Sequence, residues 1–225
     1  MKKQKIIDYY NREEKALESD YQDSSFLNYH LIQKPVEQFY ARHAALALEN
    51  VGESMTDIGC GNGRLLMRVL EDHAVKSVNL VDISERMVEL ASGRLRQAFP
   101  NKKVKSFTEN ILEDEGGNPD MEAELVLCFG VLNHMHEQID PFLKRLAAHA
   151  SKALVVSFIH SRFLIASSVG SDFREAGIPF LSIETQKVID TVVESGFKVS
   201  KQGYSFCCPV ISPAVVVHFV RESGK

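Results

Sequence analysis

The chain is poor in cysteine: it has four among 225 residues, and no two of them form a C-x-x-C pair. Cys207 and Cys208 are adjacent, while Cys60 and Cys128 stand in glycine-rich or apolar stretches where a free cysteine packs as a small hydrophobic residue. This spacing provides neither a disulfide framework nor a zinc site. We therefore expect a protein whose thiols stay reduced.

Long apolar runs and basic blocks are also missing. No apolar run approaches 18 residues and the N-terminal stretch has no apolar signal segment, so we expect a cytoplasmic protein with no membrane partner. The net charge is −4, and the lysines near the start are typical of a solvated tail. Nucleic acid is therefore not the expected partner. The alternative is a basic face that folding assembles from distant residues.

The composition is that of an ordinary globular protein, with 44% hydrophobic and 25% charged residues. A length of 225 residues fits one domain with a full core, and no repeat or inter-domain linker interrupts it. We expect one domain over residues 1–225.

The most informative stretch is 55–66, which reads MTDIGCGNGRLL. Asp57 precedes three glycines at every second position, Gly59, Gly61 and Gly63, and an amphipathic helical pattern follows them. Glycine lets a backbone turn tightly with positive φ and approach a ligand closely. The helix after the turn presents free N–H groups. The pattern therefore predicts a strand, a turn and a helix that hold a polar or anionic cofactor.

Two interpretations compete with a plain glycine-rich turn. A dinucleotide fingerprint needs G-x-G-x-x-G, but Arg64 stands where its third glycine would be. The observed D-x-G-x-G-x-G resembles the first motif of class I S-adenosylmethionine (SAM) methyltransferases. The resemblance implies that Asp57 helps bind the methionine end of SAM and that the glycines and Cys60 pass close to the cofactor.

The rest of the chain alternates strands and helices. Strands are predicted at 77–82, 103–107, 123–131 and 153–159, with helices at 35–49, 141–150 and 182–195 among those between and around them. Two further strands, 197–200 and 214–220, follow each other closely and should pair antiparallel. We therefore expect an α/β fold with a doubly wound, seven-stranded, mostly parallel sheet, a C-terminal antiparallel strand and a small N-terminal helical cap.

The second predicted strand ends in Asp82, which follows Gly63 by about 20 residues. A carboxylate there can accept hydrogen bonds from both ribose hydroxyls. The alternative is that Asp82 only caps the turn. Ser84 is a good helix N-cap, and Ile83 and Met87 complete this part of the expected cofactor site.

The third and fourth strands extend the resemblance. Asn110 stands where the family usually has the acid that meets the adenine amino group, and its carbonyl accepts the same bond. Ile111 would pack on the ring, and a register shift of one residue would put Glu109 in place of Asn110. Phe129, at the end of the fourth strand, is expected beside the cofactor.

His134 and His136 follow that strand, where the resemblance places the transferred methyl group. Histidine titrates near neutral pH, so either ring can take a proton from an N–H or O–H acceptor. Half a metal site and a structural role are the alternatives, and no metal is expected.

The resemblance implies methyl transfer from SAM to an N or O nucleophile of a small molecule, leaving S-adenosylhomocysteine (SAH). It also implies that residues 1–34 form a lid, and the long stretch 160–181 before the last helix is expected to be an insertion on the substrate side. An RNA-modifying methyltransferase, an NAD(P)-dependent oxidoreductase and a SAM-binding protein without activity are the alternatives.

Overall fold

The computed structural model describes residues 2–12, 34–49, 52–71, 73–113, 117–162, 175, 177–206 and 211–222. Most of the expected lid, residues 13–33, lies outside this part, as do 163–174 of the expected insertion and the Cys207–Cys208 pair. The helices in the described part are α1 (Lys2–Arg12), α2 (Lys34–Glu49), α3 (Arg64–Val69), α4 (Glu85–Ala98), α5 (Ile139–His149) and α6 (Thr185–Val193).

Seven strands form one sheet: β1 (Ser54–Ile58), β2 (Ser77–Asp82), β3 (Lys103–Thr108), β4 (Ala123–Cys128), β5 (Ala150–Ile159), β6 (Phe197–Tyr204) and β7 (Ala214–Arg221). Their order is β3-β2-β1-β4-β5-β7-β6. The pairs from β3 to β5 are parallel, and β7 runs antiparallel to both β5 and β6. This confirms the expected fold class.

The strand order reverses between β1 and β4, which is the switch point of a doubly wound sheet. Ligands of such sheets bind outside the carboxyl ends of the strands at that point. The ends of β1, β2 and β4 therefore define where a site is expected.

Apolar side chains cover both faces of the sheet. Helices α2, α3 and α4 contribute to one hydrophobic cluster, and α5 and α6 to the other. In β4, Leu125 and Leu127 face the first cluster while Val126 and Cys128 face the second. A strand buried on both faces explains why this segment reads as a continuous apolar run.

Several predicted boundaries were wrong. β4 ends at Cys128 rather than at residue 131, because the chain turns at Gly130 (φ 75°) and then forms the short 3₁₀ turns Leu132–His134 and His136–Gln138. Phe129 and Val131 are apolar because they line a cavity. β5 begins at Ala150 and β6 extends to Tyr204, both longer than expected.

The predicted N-cap of the helix after β2 is confirmed. The Ser84 hydroxyl accepts a hydrogen bond from the Met87 N–H at 3.2 Å, so Ser84 is the N-cap of α4. Gly196, two residues beyond the C-cap Glu194 of α6, has φ 86°. Across the described ranges, no helix is long and apolar enough to cross a bilayer.

Candidate active site

The glycine turn lies at the carboxyl end of β1 and is tied to β2. Gly59, Gly61 and Gly63 have φ of 80°, 50° and 78°. The N–H groups of Gly59 and Cys60 both donate to the Val81 carbonyl oxygen, at 2.8 and 3.1 Å. The turn is therefore fixed to the neighbouring strand before any ligand arrives.

The glycines differ in what they face. A Cβ on Gly59 would lie 2.1 Å from Val131 Cγ2, and one on Gly63 would lie 3.1 Å from the Ala91 backbone. Around Gly61, none of the described residues lies within 4 Å of that position. Gly61 is thus the glycine that faces open space, while Gly63 lets α3 start close against α4 rather than lining the cleft.

Two adjoining cavities open at this edge of the sheet. The first, which we call the Asp82 cavity, has a volume of about 300 Å³, and the second, the Asp57 cavity, about 240 Å³. Both are lined by Gly59, Gly61, Met87 and Phe129, so they form one cleft. A cleft of this size at a switch point is a usual cofactor site.

Asp82 braces the turn and also lines the cleft. Its Oδ2 accepts from the Gly61 N–H and its Oδ1 from the Ser84 N–H, both at 3.0 Å. Burial raises the pKa of Asp82, and these backbone donors oppose the rise. Each carboxylate oxygen has two lone pairs, so the side chain keeps acceptor capacity toward a ligand.

Asp57 is buried at the end of β1, with 3% of its surface exposed. Burial first, and then the charge of Asp82, raises the pKa of Asp57 to about 7. The unfolded chain releases this proton near the usual pKa of about 3.9, whereas the folded protein keeps it. The contribution of Asp57 to stability therefore falls as pH rises from about 4 to about 7. A cation bound beside it would favour the ionised form.

The other end of the Asp82 cavity is lined by Ile83, Glu109, Asn110 and Ile111. The Asn110 Oδ1 accepts from the Leu112 N–H at 3.2 Å, which fixes the amide orientation. Glu109 Oε1 accepts from Asn118 Nδ2 at 2.9 Å. Both candidates for the adenine contact reach the cavity, so this choice stays a prediction.

The two candidate histidines occupy different places in the structure. His134 is buried and lines the Asp82 cavity, and its Nδ1 lies 3.0 Å from the Pro179 carbonyl oxygen. Burial lowers the pKa of His134, and the carbonyl bond opposes this. His136 has a left-handed φ of 50° and a side chain that is 41% exposed beside Glu137. The structure thus brings His134 to the cleft and leaves His136 outside both cavities.

Sequence reasoning missed several cleft residues. Glu37 and Tyr40 of α2 and Arg64 and Arg68 of α3 line the Asp57 cavity, and Ile6 of α1 lines the Asp82 cavity. The signal was the i, i+4 spacing of the two arginines, which puts both on one face of the helix after the turn. In the part of the chain that the structure describes, no cluster of His, Cys, Asp or Glu could hold a metal ion.

The strand order and the cleft are those of a Rossmann-like domain, in which ligands bind at the switch point. Residues 56–152 match the sequence model of the family described as "Methyltransferase domain". This similarity covers less than half of the chain, and it agrees with the resemblance of the first motif to SAM-dependent methyltransferases.

One curated relative is the mitochondrial methyltransferase OMS1 of Saccharomyces cerevisiae, 26% identical over 110 residues. That match covers 43% of this chain and 23% of the yeast protein, so the chain spans about a quarter of its length.

Solved structures share the fold. The magnesium protoporphyrin IX methyltransferase ChlM of Synechocystis PCC 6803, with bound SAH, has a TM-score of 0.76 at 21% identity, covering 99% of this chain and 100% of that one. The small RNA methyltransferase HEN1 has a TM-score of 0.64 at 20% identity, covering 83% of this chain and 25% of that one.

Proposed function

We propose that the protein transfers the methyl group of SAM to an N or O nucleophile of a small molecule, leaving SAH. One observation carries this proposal: the cleft beside Gly61 and Asp82 continues into an apolar chamber that contains His134. The cofactor and an acceptor would then share one cleft, with a titratable ring at its wall.

When bound, SAM supplies a sulfonium methyl carbon, which the acceptor's lone pair attacks while sulfur keeps the electrons of the broken C–S bond. The chain's own part is to hold the partners in line, which is where most of the rate arises. Gly61 allows close approach, Asp82 would accept from the ribose, and Ile111 and Phe129 would pack on the cofactor. Asp57 would face its methionine end.

His134 is suited to accept the proton that an O–H or N–H acceptor loses. Because a carbonyl oxygen only accepts, the Pro179 contact requires the hydrogen on Nδ1 of His134. Burial keeps the ring neutral, so Nε2 carries the lone pair. The tautomer is thereby set for a general base.

We expect His134→Gln to lower kcat about 100-fold, in the range usual for loss of a general base, with SAH affinity changed little. His136→Gln serves as the matched control, because its ring lies outside both cavities. Steady-state kinetics with an identified acceptor and calorimetric titration of SAH measure both effects. Equal kcat in the parent and His134→Gln would show that His134 does not act as the general base.

A small-molecule acceptor is supported by the chamber and by the charge. Apolar side chains from different elements close it, among them Ile6, Met135 and Phe142, and such walls do not suit a phosphate backbone. The net charge of −4 agrees. ChlM is named for a small-molecule acceptor and HEN1 for an RNA acceptor, and each name describes that protein alone. The test therefore includes both classes of acceptor.

The test has a binding arm and a transfer arm. SAH at 100 times its dissociation constant should stabilise the protein by about 2.7 kcal/mol, while NADH should not. Radiolabelled SAM is then offered with phenols, amines, carboxylic acids, a porphyrin and folded RNA. Label on a small molecule supports the proposal. Label on RNA alone contradicts it and identifies a nucleic-acid acceptor instead. SAH binding without transfer to any acceptor favours a non-catalytic role.

We also propose that the chain is one domain whose cap and insertion border the acceptor. The described parts support this: Lys5 Nζ lies 3.0 Å from where a Cβ on Gly177 would be, and the Asn133 side chain donates to the Leu181 carbonyl at 2.5 Å. The cytoplasmic location stays a prediction.

A further inference from the structure

Asn133 is buried in the turn between β4 and α5, with 2% of its surface exposed. Its Nδ2 donates to the carbonyl oxygens of Ile159 at 3.0 Å and Leu181 at 2.5 Å, and its Oδ1 accepts from the Ile159 N–H at 2.9 Å. The side-chain amide therefore bonds through both its nitrogen and its oxygen. One side chain thus joins three segments: the 3₁₀ turn after β4, the end of β5 and residues 177–183.

Leu181 is bonded to Asn133 through both of its polar backbone groups. Besides its carbonyl oxygen, its N–H donates to the Asn133 backbone carbonyl oxygen at 2.9 Å. Two residues further on, the Ile183 N–H donates to the Ile159 carbonyl oxygen, and the Ser161 N–H donates to the Ile183 carbonyl oxygen, both at 2.9 Å. Residues 181–183 therefore lie along the end of β5, and Asn133 holds the first of them.

His134 contacts the two residues that precede Leu181. Its Nδ1 lies 3.0 Å from the Pro179 carbonyl oxygen, and its ring packs edge to face with the Phe180 ring, with 5.3 Å between the centroids. The carbonyl oxygen restricts the tautomer of the imidazole, and the aromatic contact restricts its tilt. The orientation of His134 in the Asp82 cavity therefore depends on a segment that the preceding residue, Asn133, holds in place.

We propose that Asn133 is a positioning residue for methyl transfer: its amide holds residues 179–181 against the end of β5, so that the Pro179 carbonyl oxygen fixes the tautomer and orientation of His134. This assignment rests on the proposed function, in which His134 takes a proton from the acceptor. Without the amide, two carbonyl oxygens and one N–H lose a hydrogen-bond partner, so the segment should shift. A displacement of about 1 Å at the reacting groups can reduce a rate about 100-fold.

The test compares two variants with a matched control. Asn133→Ala removes the amide, and Asn133→Ser keeps one donor for the two carbonyl oxygens. Asn79→Ala is the control, because Asn79 is also buried, at 4% exposed, and its Nδ2 donates to Thr56 Oγ1 and the Asp120 carbonyl oxygen, each at 3.0 Å. Asn79 lies outside both cavities, so its loss should lower stability without affecting His134.

The first measurement needs no acceptor. Nitrogen NMR of the imidazole rings gives well-separated signals for the two nitrogens of a single tautomer, whereas these signals average in a rapidly exchanging mixture. The parent should show one tautomer of His134, whose signals are those missing from His134→Gln. The two signals should move toward each other in Asn133→Ala, move less in Asn133→Ser and match the parent in Asn79→Ala.

The second measurement is kinetic and uses an acceptor identified in the transfer assay. Asn133→Ala should lower kcat about 10-fold with SAH affinity unchanged, a smaller loss than in His134→Gln because the ring is still present. The double variant that combines Asn133→Ala with His134→Gln should be no slower than His134→Gln alone, since Asn133 acts through His134. Asn79→Ala should keep the kcat of the parent.

Two results would overturn the assignment: unchanged His134 signals in a folded Asn133→Ala protein, or losses of kcat that multiply in the double variant. Either would show that Asn133 supports the fold alone. Melting temperatures show whether each variant folds, and Asn133→Ser replaces Asn133→Ala in both comparisons if the latter does not. Failure of the parent to bind SAH or to transfer the methyl group would instead overturn the proposed function, while the NMR comparison would still decide whether Asn133 positions the ring.

Discussion

Gly61→Val is expected to weaken SAH binding by at least about 100-fold, the largest effect we predict for one substitution. Gly61 lines both cavities, and nothing in the described chain lies within 4 Å of its Cβ position, so the new side chain would occupy ligand space. Its φ of 50° adds strain of about 1–3 kcal/mol for a branched residue. Calorimetric titration measures the affinity.

Gly117→Val is the matched control for strain. Gly117 has φ 70°, and among the described residues a Cβ there would meet only His149 Cε1, at 3.8 Å and outside the cleft. Both variants should melt at lower temperature than the parent, but only Gly61→Val should lose SAH. Full affinity in a folded Gly61→Val protein would show that the turn does not face the cofactor.

Asp82→Ala is expected to weaken SAH by about 10- to 100-fold, because hydrogen bonds to a charged acceptor contribute about 1.5–3 kcal/mol. The structure adds a second effect. The N–H groups of Gly61 and Ser84 both lose their acceptor, so the unliganded protein should also melt at lower temperature. Asp82→Asn keeps one acceptor oxygen and should fall between the parent and Asp82→Ala in both measurements.

The two roles of Asp82 are separated with 2′-deoxy SAH. If Asp82 accepts from the ribose, the parent should prefer SAH to the deoxy ligand, and Asp82→Ala should lose much of that preference. Asp120→Ala is the control, since Asp120 pairs with Lys105 away from both cavities. Equal weakening of both ligands in Asp82→Ala would mean that Asp82 only holds the turn.

Local patterns predicted most of the fold. Apolar runs gave the strands, since both faces of the parallel sheet are covered, and the positive φ of the glycines follows from the motif itself. The rule that an apolar run predicts a buried strand was wrong at Phe129 and Val131, whose apolar side chains line a cavity instead of continuing β4. Hydrophobicity alone does not distinguish a buried strand from an apolar cleft wall.

The parts of the site that sequence reasoning missed depend on contacts between distant segments. The His134 tautomer is set by the Pro179 carbonyl oxygen, 45 positions away. Glu37 meets Arg64 and Arg68 only because α2 packs against α3. His136 looked equivalent to His134 in the sequence, but its left-handed φ directs it outside the cleft. Spacing along a chain carries no information of this kind.

Asp57 and Asp82 lower the stability of the unliganded protein, although both line the cleft proposed for the cofactor. Two carboxyl groups are buried close enough for the charge of one to raise the pKa of the other, and without a ligand this opposes folding at neutral pH. Substitutions that raise heat resistance while discarding function should therefore concentrate here, with asparagine at position 57 as the simplest. A thermostable descendant selected without regard to activity would be expected to lose its cofactor first.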